Sequence, residues 1–197
     1  MESLKKTTDE IIDGAREALQ SLDTPQVEKM LELLLAARER RILIIGAGRS
    51  GLVARAFAMR LMHLGFHVYV VGETITPALE ESDLFLAISG SGTTTFVVAA
   101  ADIAKRVGAT VVAITSHPDS QLGKFADHIV TLKGRTKLAE KRDYFSRQIM
   151  GVYEPLAPLG TLFETSCSIF LDGVIVELMQ RLKKTEEDLR KRHATIE

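Results

Sequence analysis

Ile88-Ser89-Gly90-Ser91-Gly92-Thr93-Thr94-Thr95 stands between a short apolar run, Leu84 to Ile88, and a helical stretch, Phe96 to Val107. In such a strand-turn-helix arrangement the glycines let the backbone approach an anion, and hydroxyls and free N–H groups at the positive end of the helix dipole point at it. Five Ser or Thr residues fall within seven positions, 89 to 95, more than one helix cap requires. The loop therefore reads as a phosphate cradle, lined by Ser89, Gly90, Ser91, Gly92, Thr93 and Thr94. It has no lysine of the G-K-[ST] kind, which argues against a P-loop nucleotidase and for a compact monophosphate held by neutral donors.

A second loop of the same kind lies upstream. Ile45-Gly46-Ala47-Gly48-Arg49-Ser50-Gly51 also follows an apolar run and opens a helix, and it satisfies G-x-G-x-x-G. Alone it suggests a dinucleotide site, with Glu73 after the next strand placed where a ribose-binding acid would stand. The two loops together suggest something else. The runs Ile42 to Ile45, Val68 to Val71, Leu84 to Ile88, Val111 to Ile114 and Ile129 to Leu132 are short, β-branched and without alternation, as in strands buried on both faces of a parallel sheet. Helical stretches at Leu52 to Leu64, Phe96 to Val107 and Ser120 to Phe125 separate several of them, the pattern of a doubly wound α/β sheet. In strand order 2-1-3-4-5 the first and third strands are neighbours at the switch point, so the two loops line one crevice. Ser50 would face the hydroxyls of the other loop, and Arg49 would add a charge-assisted contact to substrate or form an ion pair.

Outside this region, apolar residues at helical spacing in 4–22 and 27–35 give two N-terminal helices, separated by Thr24-Pro25, a capping hydroxyl and a first-turn proline. Gly134 to Pro158 has no clean periodicity and is expected to be a long excursion. A final helix from about Leu159 to Leu182 is apolar nearly all round, which calls for cover on most sides, by the sheet and a further subunit or by burial within the chain alone. A charged tail ends the chain.

The 197 residues suit a single domain spanning 1–197, and a net charge of −1 offers no global field for nucleic acid or anionic lipid. The N-terminus has no apolar core of a signal peptide, and Asp172 and Glu177 interrupt the most apolar stretch, Ile169 to Met179, far short of the roughly 20 residues of a membrane span. The lone Cys167 has apolar neighbours and cannot close an internal disulfide. A cytoplasmic protein is expected.

The paired loops, with Ala58-Met-Arg-Leu-Met-His-Leu-Gly65, Val71-Gly-Glu-Thr-Ile-Thr-Pro77, Pro158-Leu-Gly-Thr-Leu-Phe-Glu164 and Lys191-Arg-His193, resemble the 6-phospho-3-hexuloisomerase family of SIS (sugar isomerase) domains along essentially the whole chain. The resemblance implies a flavodoxin-like three-layer sandwich around a five-stranded parallel sheet, a homotetramer and no cofactor or metal. It further implies conversion of D-arabino-3-hexulose 6-phosphate to D-fructose 6-phosphate in the ribulose monophosphate pathway, with 3-hexulose-6-phosphate synthase as pathway partner. On matching positions, Ser89 to Thr94 bind phosphate, Ser50 touches substrate and Glu164 is the base. Many SIS proteins carry Glu where this chain has Thr93, which moves the catalytic burden toward Glu164.

Moving a carbonyl from C3 to C2 requires removal of the C2 proton, a 2,3-enediol and return of a proton to C3, which one carboxylate can perform. Oriented N–H groups, hydroxyls or a histidine would stabilise the developing enediolate. His193 matches a tail histidine of the family, and acts as a polarising acid in a neighbouring subunit's crevice or is simply solvated. His63 is expected to pack near a helix end. The alternative to an isomerase is a non-catalytic SIS module that senses a sugar phosphate.

Overall fold

The structure is a computed structural model that describes residues 1–134, 158 and 160–195. Five strands, β1 (Arg41–Gly46), β2 (His67–Val70), β3 (Leu84–Ile88), β4 (Thr110–Thr115) and β5 (His128–Thr131), pair in parallel in the order β2-β1-β3-β4-β5. Each strand matches an expected apolar run to within a residue. Successive side chains of a strand point to opposite faces, so the runs feed two cores at once. Ile42, Ile44, Leu86 and Ile88 join one core with helices α1 (Glu2–Gln20), α2 (Thr24–Ala36), α3 (Arg49–Leu64) and α6 (Thr161–Arg181). Leu43, Ile45, Phe85 and Ala87 join the other with α4 (Thr95–Val107) and α5 (Gln121–Phe125). The result is the expected three-layer sandwich.

Local differences have local causes. The hydroxyl that was expected to cap α2, Thr24, is already helical; Asp23 is the cap, its carboxylate accepting from the Gln26 N–H at 2.9 Å, and Pro25 sits in the first turn. Helix α3 begins at Arg49 rather than Leu52, because the glycine loop tightens at Gly48, whose φ of +58° suits only glycine well. Between β2 and β3, residues 71–83 contain no helix. That connection is tied down by buried Asp83, which accepts from the Arg41 N–H at 3.2 Å and the Glu80 N–H at 2.9 Å and pairs with the Arg41 guanidinium. The charged tail contains a short helix, α7 (Glu186–Arg190), started by a Thr185–Asp188 capping box.

Helix α6 buries Phe163, Cys167, Phe170, Leu171, Val174, Ile175 and Leu178 against the sheet, α1 and α3, while Ile169 and Val176 on its other side are about half exposed, at 48% and 52%. Among the described residues, cover of the helix is therefore one-sided. The excursion expected at Gly134 to Pro158 lies, apart from those two end residues, outside the described residues. Among the described residues no helix is long and apolar enough to cross a membrane.

Candidate active site

The carboxyl ends of β1 and β3 are in register, Gly46 beside Ile88, so the chains that leave them start side by side. On the β1 side, Gly46 and Gly51 let α3 sit tightly against the strand. A Cβ on Gly46 would stand 2.6 Å from the Ser50 carbonyl oxygen, and one on Gly51 would stand 2.9 Å from that of Gly46. The first turn of α3 thereby places Ser50, 8% exposed, at the head of the crevice. Strand–helix packing accounts for Gly46 and Gly51, and the positive φ accounts for Gly48. Glu73, the would-be ribose acid, instead pairs with Arg55 of α3 at 2.9 Å.

The β3 loop is a compact hydrogen-bonded turn. Ser89, 3% exposed, accepts the Gly92 N–H on its hydroxyl at 3.2 Å and shares a contact of 3.3 Å with the Thr94 hydroxyl. Thr93 donates its backbone N–H and its hydroxyl to Ser91 Oγ, at 3.3 and 3.2 Å. Thr94 is the N-cap of α4 yet makes no side-chain cap bond, so its hydroxyl is not spent on capping. The β4 connection braces this turn from behind. Ser116 N–H donates to the Gly90 carbonyl, Leu122 N–H donates to that of Gly92, and Thr115, fully buried, donates its hydroxyl to Gly90. Gly92, at φ +61°, lies so close to Ser120 that a Cβ would stand 1.9 Å from its Oγ. Thr115 and Ser120 lie outside both glycine-serine motifs yet support the site. The signal available was the repeat of the same logic after β4, where Thr115, Ser116 and Ser120 again follow a strand and precede a helix.

Glu164 comes from 115 positions after Arg49 and meets it: Arg49 donates its Nε–H to Glu164 Oε2 at 2.9 Å. Of the two roles open to Arg49 in sequence, the ion pair is the one present in this structure. Glu164 sits in the first turn of α6, where a carboxylate is favoured by the helix dipole. The preceding N-cap, Gly160, has φ +90°, and both carboxylate oxygens lie 3.1 Å from where a Cβ on it would be. The neighbouring Phe163, 1% exposed, locks α6 to the hydroxyl loop. Its ring lies 2.9 Å from a Cβ position on Gly90, and its own Cβ lies 2.8 Å from one on Gly134. One turn further, burial pushes the Cys167 thiol far above its ordinary range, with the Glu164 carboxylate adding to the shift. That thiol is packing material.

The structure does not bring His193 to this crevice within one chain. Its ring stacks on that of buried His63, with centroids 4.1 Å apart and planes at 27°. His63 lies in the last turn of α3, 14 residues after Arg49, and at ~1.5 Å per residue that is about 21 Å along the helix. The structure thus pairs Arg49 with Glu164, starts the two loops side by side after β1 and β3, brings Phe163 of α6 against Gly90, and sets His193 at the far end of α3.

A family model described as "SIS domain" matches residues 35–139, more than half of the chain. A Bacillus subtilis protein named 3-hexulose-6-phosphate isomerase is 36% identical over 98% of this chain and 100% of its own length. The chain belongs to the 3-hexulose-6-phosphate isomerase family of SIS-domain proteins. An Aeropyrum pernix relative, named only as an uncharacterized protein, is 55% identical over 98% of this chain and 92% of its own. The crystal structure of a Methanococcus jannaschii protein, with an inferred molecular function of 3-hexulose-6-phosphate isomerase, superposes with a TM-score of 0.77 at 34% identity, covering both chains fully. This isomerase therefore has the expected fold, and its named relatives place it among the sugar-phosphate isomerases.

Proposed function

We propose that the protein converts D-arabino-3-hexulose 6-phosphate to D-fructose 6-phosphate through a 2,3-enediolate. The observation that carries this reading is the meeting of the start of α6 with both loops: Glu164 pairs with Arg49 of the glycine loop, and the neighbouring Phe163 packs its ring against Gly90 of the hydroxyl loop. A substrate phosphate held by Ser89 to Thr94, with Ser50 opposite, fixes one end of a six-carbon chain. Glu164 then takes the proton from C2 and returns it to C3, while the hydroxyl proton moves between O2 and O3. Backbone N–H groups and hydroxyls of the two loops stabilise the enediolate oxygen.

The same reading assigns the enzyme to the cytoplasm and to the ribulose monophosphate pathway, where 3-hexulose-6-phosphate synthase supplies its substrate. It also makes the enzyme a homotetramer, which would cover the half-exposed Ile169 and Val176 of α6. With His193 about 20 Å from its own crevice by the helix arithmetic above, any catalytic part for it belongs to a neighbouring subunit's site. The test is to couple the purified protein to 3-hexulose-6-phosphate synthase and assay fructose 6-phosphate. Appearance of product at an enzymatic rate is expected; binding of the hexulose phosphate with no product would establish a sensor module instead.

A further inference from the structure

We infer that Arg49 acts on Glu164 and not on the substrate's phosphate: it is the residue that positions the base. The inference rests on the isomerase reading above and adds a role to a residue that sequence alone leaves between two assignments.

Three observations converge on it. Arg49 is the first residue of α3 and Glu164 lies in the first turn of α6, two helices packed on the same face of the sheet, so the contact spans the crevice where the helix starts meet. The partners are unequal: the Arg49 side chain is 59% exposed and that of Glu164 only 14%, so the exposed group serves the sheltered one. The carboxylate also has its place prepared. Gly160, at φ +90°, lacks the Cβ that would crowd both oxygens at 3.1 Å, and the Glu164 side chain lies in that gap. One wall is an absent side chain and the other is a guanidinium.

The hydrogen bond engages Oε2, which leaves Oε1 as the oxygen that takes the proton from C2. The phosphate has its own donors in the hydroxyl loop and does not need Arg49. The charge-assisted bond draws Oε2 to one side, so a base held this way starts each turnover in place.

The two roles separate in kinetics. For Arg49→Gln, kcat is expected to fall about 10²-fold, the scale of a misaimed catalytic group. KM and the inhibition constant of inorganic phosphate should stay within about threefold, because uniform binding is untouched. Arg49→Lys keeps the charge and should recover most of the loss. In the double variant with Glu164→Gln the Arg49 substitution should cost almost nothing further, since both changes disable one unit. A tenfold or larger rise in KM and in the phosphate inhibition constant with kcat held would overturn the inference, as would an Arg49 penalty of full size on the Glu164→Gln background. A crystal structure of Arg49→Gln supplies a readout free of turnover: the Glu164 carboxylate should leave its place beside Gly160, and finding it still there refutes the positioning role. Wild-type protein inactive on the hexulose phosphate would instead refute the isomerase reading, with the structural test still deciding this one.

Discussion

Gly92→Ala places a methyl group where the hydroxyl loop has no room for it. The added Cβ would stand 1.9 Å from Ser120 Oγ, 2.5 Å from Ser120 Cβ and 3.1 Å from Thr115 Oγ1, and the backbone at 92 has φ +61°. Ser120 is itself buried and caps α5 by accepting the Gly123 N–H, so it cannot simply swing away. A non-glycine residue in this left-handed region costs ~1–2 kcal/mol, and overpacking of a filled site typically adds ~1–3 kcal/mol. The sum, about 2–5 kcal/mol, corresponds to a loss of roughly 4–20 °C in melting temperature for a chain of this size. The steric and conformational parts separate in a double-variant cycle followed by calorimetry. Ser120→Gly removes both clashing atoms and by itself forfeits only a few tenths of a kcal/mol of capping. Combined with Gly92→Ala it should restore about 1–3 kcal/mol, leaving the conformational part behind. A Gly92→Ala protein that melts within about 1 °C of wild type, or one that Ser120→Gly does not rescue, would refute the account of how this loop is braced.

Cys167 is buried, and its thiol is pushed well above the ordinary range by desolvation first and by Glu164 second. A disulfide reagent at mildly alkaline pH should leave the native protein unmodified and react in denaturant; rapid native labelling would contradict this. Ser166 is fully buried with its hydroxyl unpartnered among the described residues. Ser166→Ala should therefore match or exceed wild-type stability in urea titration, and a loss above about 1 kcal/mol would reveal a partner. Three carboxyls sit below their ordinary range: Glu28 through its hydrogen bonds from Arg181, Glu80 through that from Arg41, and Asp188 through those from the Thr185 backbone and side chain. Because their folded values are the lower ones, their contribution is present above the unfolded values and lost as pH falls through the folded ones. Melting temperature should drop as pH falls below about 4, less steeply in Glu28→Gln, and a melting temperature that rises on such acidification would contradict the assignment.

Local signals made the sheet legible. Ile42 to Ile45 and Leu84 to Ile88 are apolar because both faces of their strands are covered, and the glycine-serine turns after them sit in register at Gly46 and Ile88. The start of α3 at Arg49 and the Asp23 cap of α2 differ from the sequence reading by a few residues, since caps compete locally. Long-range pairings left no trace in a single sequence. Nothing near Arg49 announces a partner 115 residues away, nothing near Gly92 names Ser120, and the tail gives no hint that His193 stacks on His63. Glu164 was legible only through its family motif, because a lone acid in a first helical turn is also what the helix dipole favours by itself.

The central claim is that Glu164 moves the proton, and turnover of Glu164→Gln tests it most directly. The glutamine keeps the size of the side chain and the oxygen that Arg49 addresses, but it cannot accept a proton at neutral pH. With fold and inorganic-phosphate inhibition unchanged, kcat for fructose 6-phosphate formation from the hexulose phosphate should fall by about 10²–10⁴-fold, the usual worth of a general base. A Glu164→Gln enzyme that turns over within a few-fold of wild type would contradict the account.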